Sequence, residues 1–130
     1  MRAPSAIWLF PIAFTIHDGE ELATMPEWIA AHRADVPWIA SLGATRRDIA
    51  MAMAVEFIVI TGATLLVAWK PRRLFVYTYA ALLGIFAVHA LTHAAEAILF
   101  HGYIPGIISA VTVIPPVSYF IYRQFARARV

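Results

Sequence analysis

The chain has 130 residues, of which 62% are hydrophobic and 14% charged, with a formal net charge of +2 and no cysteine. Soluble domains carry about 25% charged residues, so a mean hydropathy of +0.73 excludes a disordered chain and points to an integral membrane protein. The missing cysteines exclude disulfides, thiolate metal sites and a cysteine nucleophile, and the small net charge with Lys and Arg in short clusters speaks against nucleic-acid binding.

A membrane-spanning helix needs about 20 apolar residues, and four apolar stretches of that order stand at residues 5–25, 49–69, 74–100 and 105–122. None alternates with period two, so all four are expected to be helices, and the predicted fold is an all-α, single-domain, four-helix membrane bundle. The first stretch follows Arg2 and ends in His17-Asp18-Gly19-Glu20-Glu21 without a small-x-small site, which favours an uncleaved helix over a signal peptide. Residues 26–48 form a connection whose pattern Trp28, Ile29, His32, Val36, Trp38, Ile39 predicts a short interfacial helix broken by Pro37. The second stretch is interrupted by Glu56, and the third by His89, His93 and Glu96. From Gly102 to Tyr122 the chain has no Asp, Glu, Lys, Arg or His, and Pro115-Pro116 is expected to break the fourth helix, either opening a cavity or bending it. Seven basic residues (Arg2, Lys70, Arg72, Arg73, Arg123, Arg127, Arg129) fall on one side of this arrangement. Three (Arg33, Arg46, Arg47) fall on the other, which puts both termini in the cytoplasm.

The interruptions carry the chemistry. A charged residue at a span centre costs about 2.5–3.5 kcal/mol on insertion scales. Five of the eight acidic residues (Asp18, Glu20, Glu21, Glu56, Glu96) lie in predicted spans, where no Lys or Arg is available to pair with them. Such carboxylates must be protonated, face water or bind a metal, and the accompanying His17, His89 and His93 favour metal. At about 100° per residue, His89, His93 and Glu96 share an arc of about 60°, while His17, Glu20 and Glu21 share one of about 100°. Asp18 points about 100° away from that stripe and is left out. With about 1.5 Å rise per residue, His17, Glu20, Glu21, Glu56, His89, His93 and Glu96 all fall about 3–13 Å to the outer side of their helix midpoints, in one slab. His32 and His101 lie outside it.

The expected ligands are therefore His17, Glu20, Glu21, Glu56, His93 and Glu96, with His89 a seventh. Mixed His and carboxylate donors without thiolate suit iron, manganese or zinc, and the richness of the set suggests two irons, as in ferritin-like sites. The alternative without metal is a hydrogen-bonded polar cluster that locks helix packing. Glu20 and Glu21 are also candidate catalytic groups, one able to ligate while its neighbour orients a histidine. Tyr103, in the turn above the slab, can cap the site or serve as an interfacial aromatic.

His17-Asp18-Gly19-Glu20-Glu21, followed by Pro26-Glu27-Trp28, resembles the HXXEE domain family of small bacterial membrane proteins, and Gly102-Tyr103-x-Pro105-Gly106 is similar to a later motif of that family. The resemblance covers most of the chain and implies a bacterial inner-membrane protein, with motif boundaries rather than a reaction. Where the family pattern commonly has Asn-x-x-x-His, this chain has His89-x-x-x-His93, so the resemblance carries over His93 and leaves His89 to its own spacing.

These readings converge on an intramembrane metal site that oxidises a lipid or small hydrophobic substrate by hydroxylation or desaturation, with a redox partner or a homo-oligomer possible around it. One alternative is a zinc-dependent lipid or amide hydrolase, with His17, His89 and His93 on the metal and Glu20 or Glu21 as general base. Another is a metal-binding or accessory membrane subunit without catalysis.

Overall fold

The computed structural model describes residues 3–37, 41, 43 and 45–128, and every regular element among them is helical. A 3-10 turn, Ser5–Trp8, leads into α1, Leu9–Ala31. Then follow α2, Arg46–Trp69, and α3, Arg73–Leu99. The short α4, Ile107–Thr112, precedes α5, Ile114–Arg127. Both α2 and α3 are long and apolar enough to cross a membrane. At 23 residues α1 is nearly as long, but it carries Asp18, Glu20, Glu21 and Glu27.

The first helix outruns the predicted stretch, continuing from Met25 through Pro26 to Ala31. A proline inside a helix deprives the carbonyl four residues earlier of its N–H partner. That carbonyl belongs to Leu22, and Arg46 Nη1 donates to it at 2.8 Å, while Arg46 Nη2 holds Glu27 Oε1 at 2.6 Å. The cation at the start of α2 thus supplies the hydrogen bond that Pro26 withholds. Trp28 and Ile29 consequently belong to α1 rather than to a separate interfacial helix, whose Trp38 and Ile39 lie outside the described residues. The second helix opens under a capping box: Asp48 N donates to Thr45 Oγ1 (3.2 Å) and Thr45 N to Asp48 Oδ2 (2.8 Å).

The last apolar stretch is two helices, separated at Val113 (φ −109°, ψ −51°). Continuing one helix through Pro115 and Pro116 would press their rings on the carbonyls of Val111 and Thr112. After the break, the prolines sit in the first turn of α5, where a missing N–H costs nothing.

Around the molecule, α1 and α3 each pack on α2, on α4 and on α5. Across the middle, α1 meets α3 through large side chains. Buried Val76, Tyr79, Leu83, Phe86, Ala90 and His93 recur along α3 at alternating intervals of three and four, and Phe10, Phe14, His17 and Glu21 do the same on α1. The two seams interlock. Phe10 meets Tyr79 edge-on at 5.5 Å and Phe86 at 5.4 Å, Phe14 lies 5.6 Å from Phe86, and His17 continues the ladder 5.7 Å from Phe86. At the aromatic end of the seam the buried Tyr79 hydroxyl donates to Ile7 O at 2.9 Å. Residues such as Val55, Ile58, Leu91 and Ile98 project outward and are exposed.

Candidate metal centre

The opposite end of that seam turns polar. His17 and Glu21 are one helical turn apart on α1, as are His89 and His93 on α3, so each pair presents its ends to the other helix. His93 Nε2 lies 3.1 Å from Glu21 Oε1, His17 Nε2 3.7 Å and His89 Nε2 3.9 Å, and the Nε2 atoms of His89 and His93 are 2.9 Å apart. One donor atom from each of the four lies within 4.8 Å of every other. At metal–donor distances of about 2.0–2.2 Å, neighbouring ligands on one ion stand about 3–3.5 Å apart, so the group is slightly wider than a loaded site and of the right size for one ion.

Burial divides the four. His17, Glu21 and His93 are 1%, 7% and 5% exposed, whereas the His89 side chain is 44% exposed. The enclosed set is therefore two histidines and one carboxylate, with a third histidine at the opening.

His17 shows why the arrangement suits a metal. Glu20 Oε2 accepts from Ser109 Oγ at 2.6 Å and from Ser109 N at 2.8 Å, while Glu20 Oε1 accepts from Ile108 N at 3.1 Å and from the Tyr103 hydroxyl at 3.0 Å. With its proton on Glu20, Ser109 Oγ accepts from His17 Nδ1, 2.9 Å away. This network assigns the proton of His17 to Nδ1 and leaves Nε2 bare. That Nε2 is shielded from solvent and has no hydrogen-bond partner. A buried nitrogen lone pair aimed at two other imidazoles and a carboxylate is costly alone and is satisfied by a cation.

Adjacent glutamates thus do different work. Glu21 belongs to the donor group. Glu20, a 100° step around the helix, holds the start of α4 and orients His17 through Ser109. Tyr103 acts on Glu20 and not on the donor group, and its carbonyl accepts from Trp28 Nε1 at 3.0 Å, which clips the turn to α1. Partial desolvation and the nearby Glu20 carboxylate hold the Tyr103 phenol above the usual tyrosine range, so it remains a proton donor.

The turn closes directly over the donors. Gly106 adopts φ +81°, and a Cβ there would stand 2.8 Å from His17 Cε1, 2.9 Å from Glu21 Cγ and 3.0 Å from His93 Cε1. Both the left-handed backbone and the absence of a side chain are required at this position.

Of the residues expected as ligands, the structure brings together His17, Glu21, His89 and His93, and leaves Glu20, Glu56 and Glu96 outside that group. Glu56 lines a cavity of about 620 Å³ between α1, α2 and α3, beside His17, Glu21 and His89. Glu96 is exposed on α3 and acts on His89 and His93 only through its charge. His32 stacks on Trp28 at 4.3 Å, away from the group. The break before Pro115 does not open this cavity, since no residue of α4 or α5 lines it.

Three residues escaped the sequence reading. Ser109 was hidden as a small polar residue in the one apolar stretch without ionisable groups. Gly106 was legible as a turn but not as a close approach. Asp18, set aside for pointing off the stripe, faces the cavity and α2 instead.

A family model described as "Protein of unknown function with HXXEE motif" matches residues 8–121. The chain belongs to the HXXEE family. No curated protein and no solved structure matches it. In this HXXEE protein the histidine and the final glutamate of the motif face the α3 seam, and the penultimate glutamate anchors the turn motif across the site.

Proposed function

We propose that this HXXEE protein is a four-span membrane metalloenzyme of the bacterial inner membrane, with both termini cytoplasmic, that oxidises a lipid or other small hydrophobic substrate at a single metal ion. The observation that carries this is the enclosed pair of histidines and one carboxylate, His17, His93 and Glu21, with His89 at the edge of an apolar cavity. Two histidines and a carboxylate with open positions are the donor set of non-haem iron oxygenases. Such an ion supplies the capacity to activate oxygen. The chain's part is to hold three donors rigidly, to orient His17 through Ser109 and Glu20, and to exclude water with Gly106 and the packed seam.

One ion is favoured over the pair suggested by the residue inventory. A second ion, about 3.5–4 Å from the first, would need Glu20, Glu56 or Glu96, and Glu20 already has both carboxylate oxygens engaged by α4 and Tyr103. The same engagement leaves Glu21 as the general base open to the zinc hydrolase, and Glu21 is the enclosed carboxylate of the donor group.

The test is elemental analysis of the purified protein beside His17→Ala and Glu21→Gln. About one iron per chain, lost in both variants, is the expected result. Wild-type protein that takes up no metal on reconstitution overturns the proposal, and activity restored by zinc but not by iron would select the hydrolase.

A further inference from the structure

The cavity beside the donors has its own chemistry. Its walls toward the aromatic end of the seam are apolar, with Phe14, Val59, Leu82 and Phe86 among them, and its volume of about 620 Å³ accommodates a long alkyl chain. Next to His89, three carboxylates (Asp18, Glu21 and Glu56) line the same space, and among the described residues no Lys or Arg does. Glu21 is occupied with the histidines. Asp18 and Glu56 belong to no ion pair among the described residues. Asp18 Oδ2 is buried and has no hydrogen-bond partner, and Asp18 and the buried His17 both line this wall.

Two spare carboxylates in an apolar chamber complement a positive charge and repel a negative one. A phosphate or carboxylate head would find no cation among the lining residues, and a neutral head would leave the carboxylates unpaired, the costlier outcome in a low-dielectric site. From this we infer that the cavity binds a single-chain amphiphile with an ammonium head. The ammonium lies between Asp18 and Glu56, and the alkyl chain runs along Phe14, Val59 and Leu82. This rests on the proposed function and names its substrate class: a long-chain amine whose head end lies nearest His89.

The ammonium can come from a free long-chain amine or from an ethanolamine phospholipid head, and one competition separates them. Protein in a nonionic detergent is exposed to equimolar hexadecylamine, hexadecanol, hexadecanoate and lysophosphatidylethanolamine, and bound adducts are counted by native mass spectrometry. Hexadecylamine is expected to exceed hexadecanol and hexadecanoate by about tenfold. In Asp18→Asn/Glu56→Gln the amine should fall to the level of the alcohol while alcohol binding persists, which also shows that the variant is folded. Lysophosphatidylethanolamine binding as well as the amine, and falling with it in the variant, would assign the ammonium to a phospholipid. Alcohol or acid binding equal to the amine overturns the inference, as does amine binding that survives the double substitution. Metal content measured on the same samples keeps the two proposals apart: metal without amine selectivity sinks this one alone, and amine selectivity without metal sinks the metal centre alone.

Discussion

The two ends of the α1–α3 seam share a geometry and differ in chemistry. At the aromatic end Phe10, Tyr79 and Phe86 interlock, and the buried hydroxyl of Tyr79 is satisfied by Ile7 O. At the other end the same three-and-four spacing delivers His17, Glu21 and His93, two of which keep a buried nitrogen with no hydrogen-bond partner. The aromatic end satisfies its buried hydroxyl, whereas the polar end leaves buried nitrogens without a partner. The contrast teaches that core position alone does not separate packing from function. Whether the buried polar atoms are satisfied does.

The sharpest way to break the comparison is to truncate one residue at each end of the α3 seam. Phe86→Ala should cost about 3 kcal/mol or more of stability through the cavity left in the ladder, seen as a fall in thermal unfolding temperature, while folded protein still takes up metal. His93→Ala should do the reverse, abolishing metal uptake with a much smaller change in unfolding. Equal effects of the two on both readouts would dissolve the distinction.

Gly106→Ala comes next. Its Cβ would collide with carbons of both His17 and His93, in a backbone conformation that costs a non-glycine residue about 1–2 kcal/mol. Metal affinity should fall with only modest loss of stability. An unchanged affinity would show that the turn does not press on the donors.

Ser109→Ala probes the support behind His17. Loss of an oriented hydrogen bond to a ligand histidine typically costs about 10–100-fold in metal affinity. That loss, read by chelator competition, should be matched by Glu20→Gln, and the double variant should be no worse than either single one. Tyr103→Phe should have the smallest effect, a few-fold at most, since the hydroxyl is exposed and Ser109 and Ile108 still hold Glu20. Its pH dependence follows from the raised phenol. A group with a raised folded-state pKa contributes below its ordinary value, about 10, and loses the contribution as pH climbs through the folded value. The difference between Tyr103→Phe and wild type should therefore stay constant across neutral pH and vanish only in strong alkali.

Much was legible before any coordinates. The apolar runs, the end of α3 and the proline break before α5 follow from hydropathy, helix length and the geometry of proline. His17 with Glu21, and His89 with His93, follow from the rise of one helical turn. The partners of Asp18 and Glu20 were out of reach for one reason: a stripe on a single helix says which residues share a face, but not which neighbour that face meets. The continuation of α1 through Pro26 was equally invisible, because its compensation comes from Arg46, 20 residues later.

By itself the sequence determined where apolar segments run and where their polarity is interrupted, since those depend on composition and on helical rise alone. Only the tertiary structure decided which of the interruptions meet. In a helix apolar on every side, hydrophobic periodicity carries no phase, so the angular position of each helix is set by how neighbouring side chains interlock. That interlocking placed Glu21 among the imidazoles, turned Glu20 to α4 and Asp18 to the cavity, and so gave three nearly adjacent carboxylates three separate tasks.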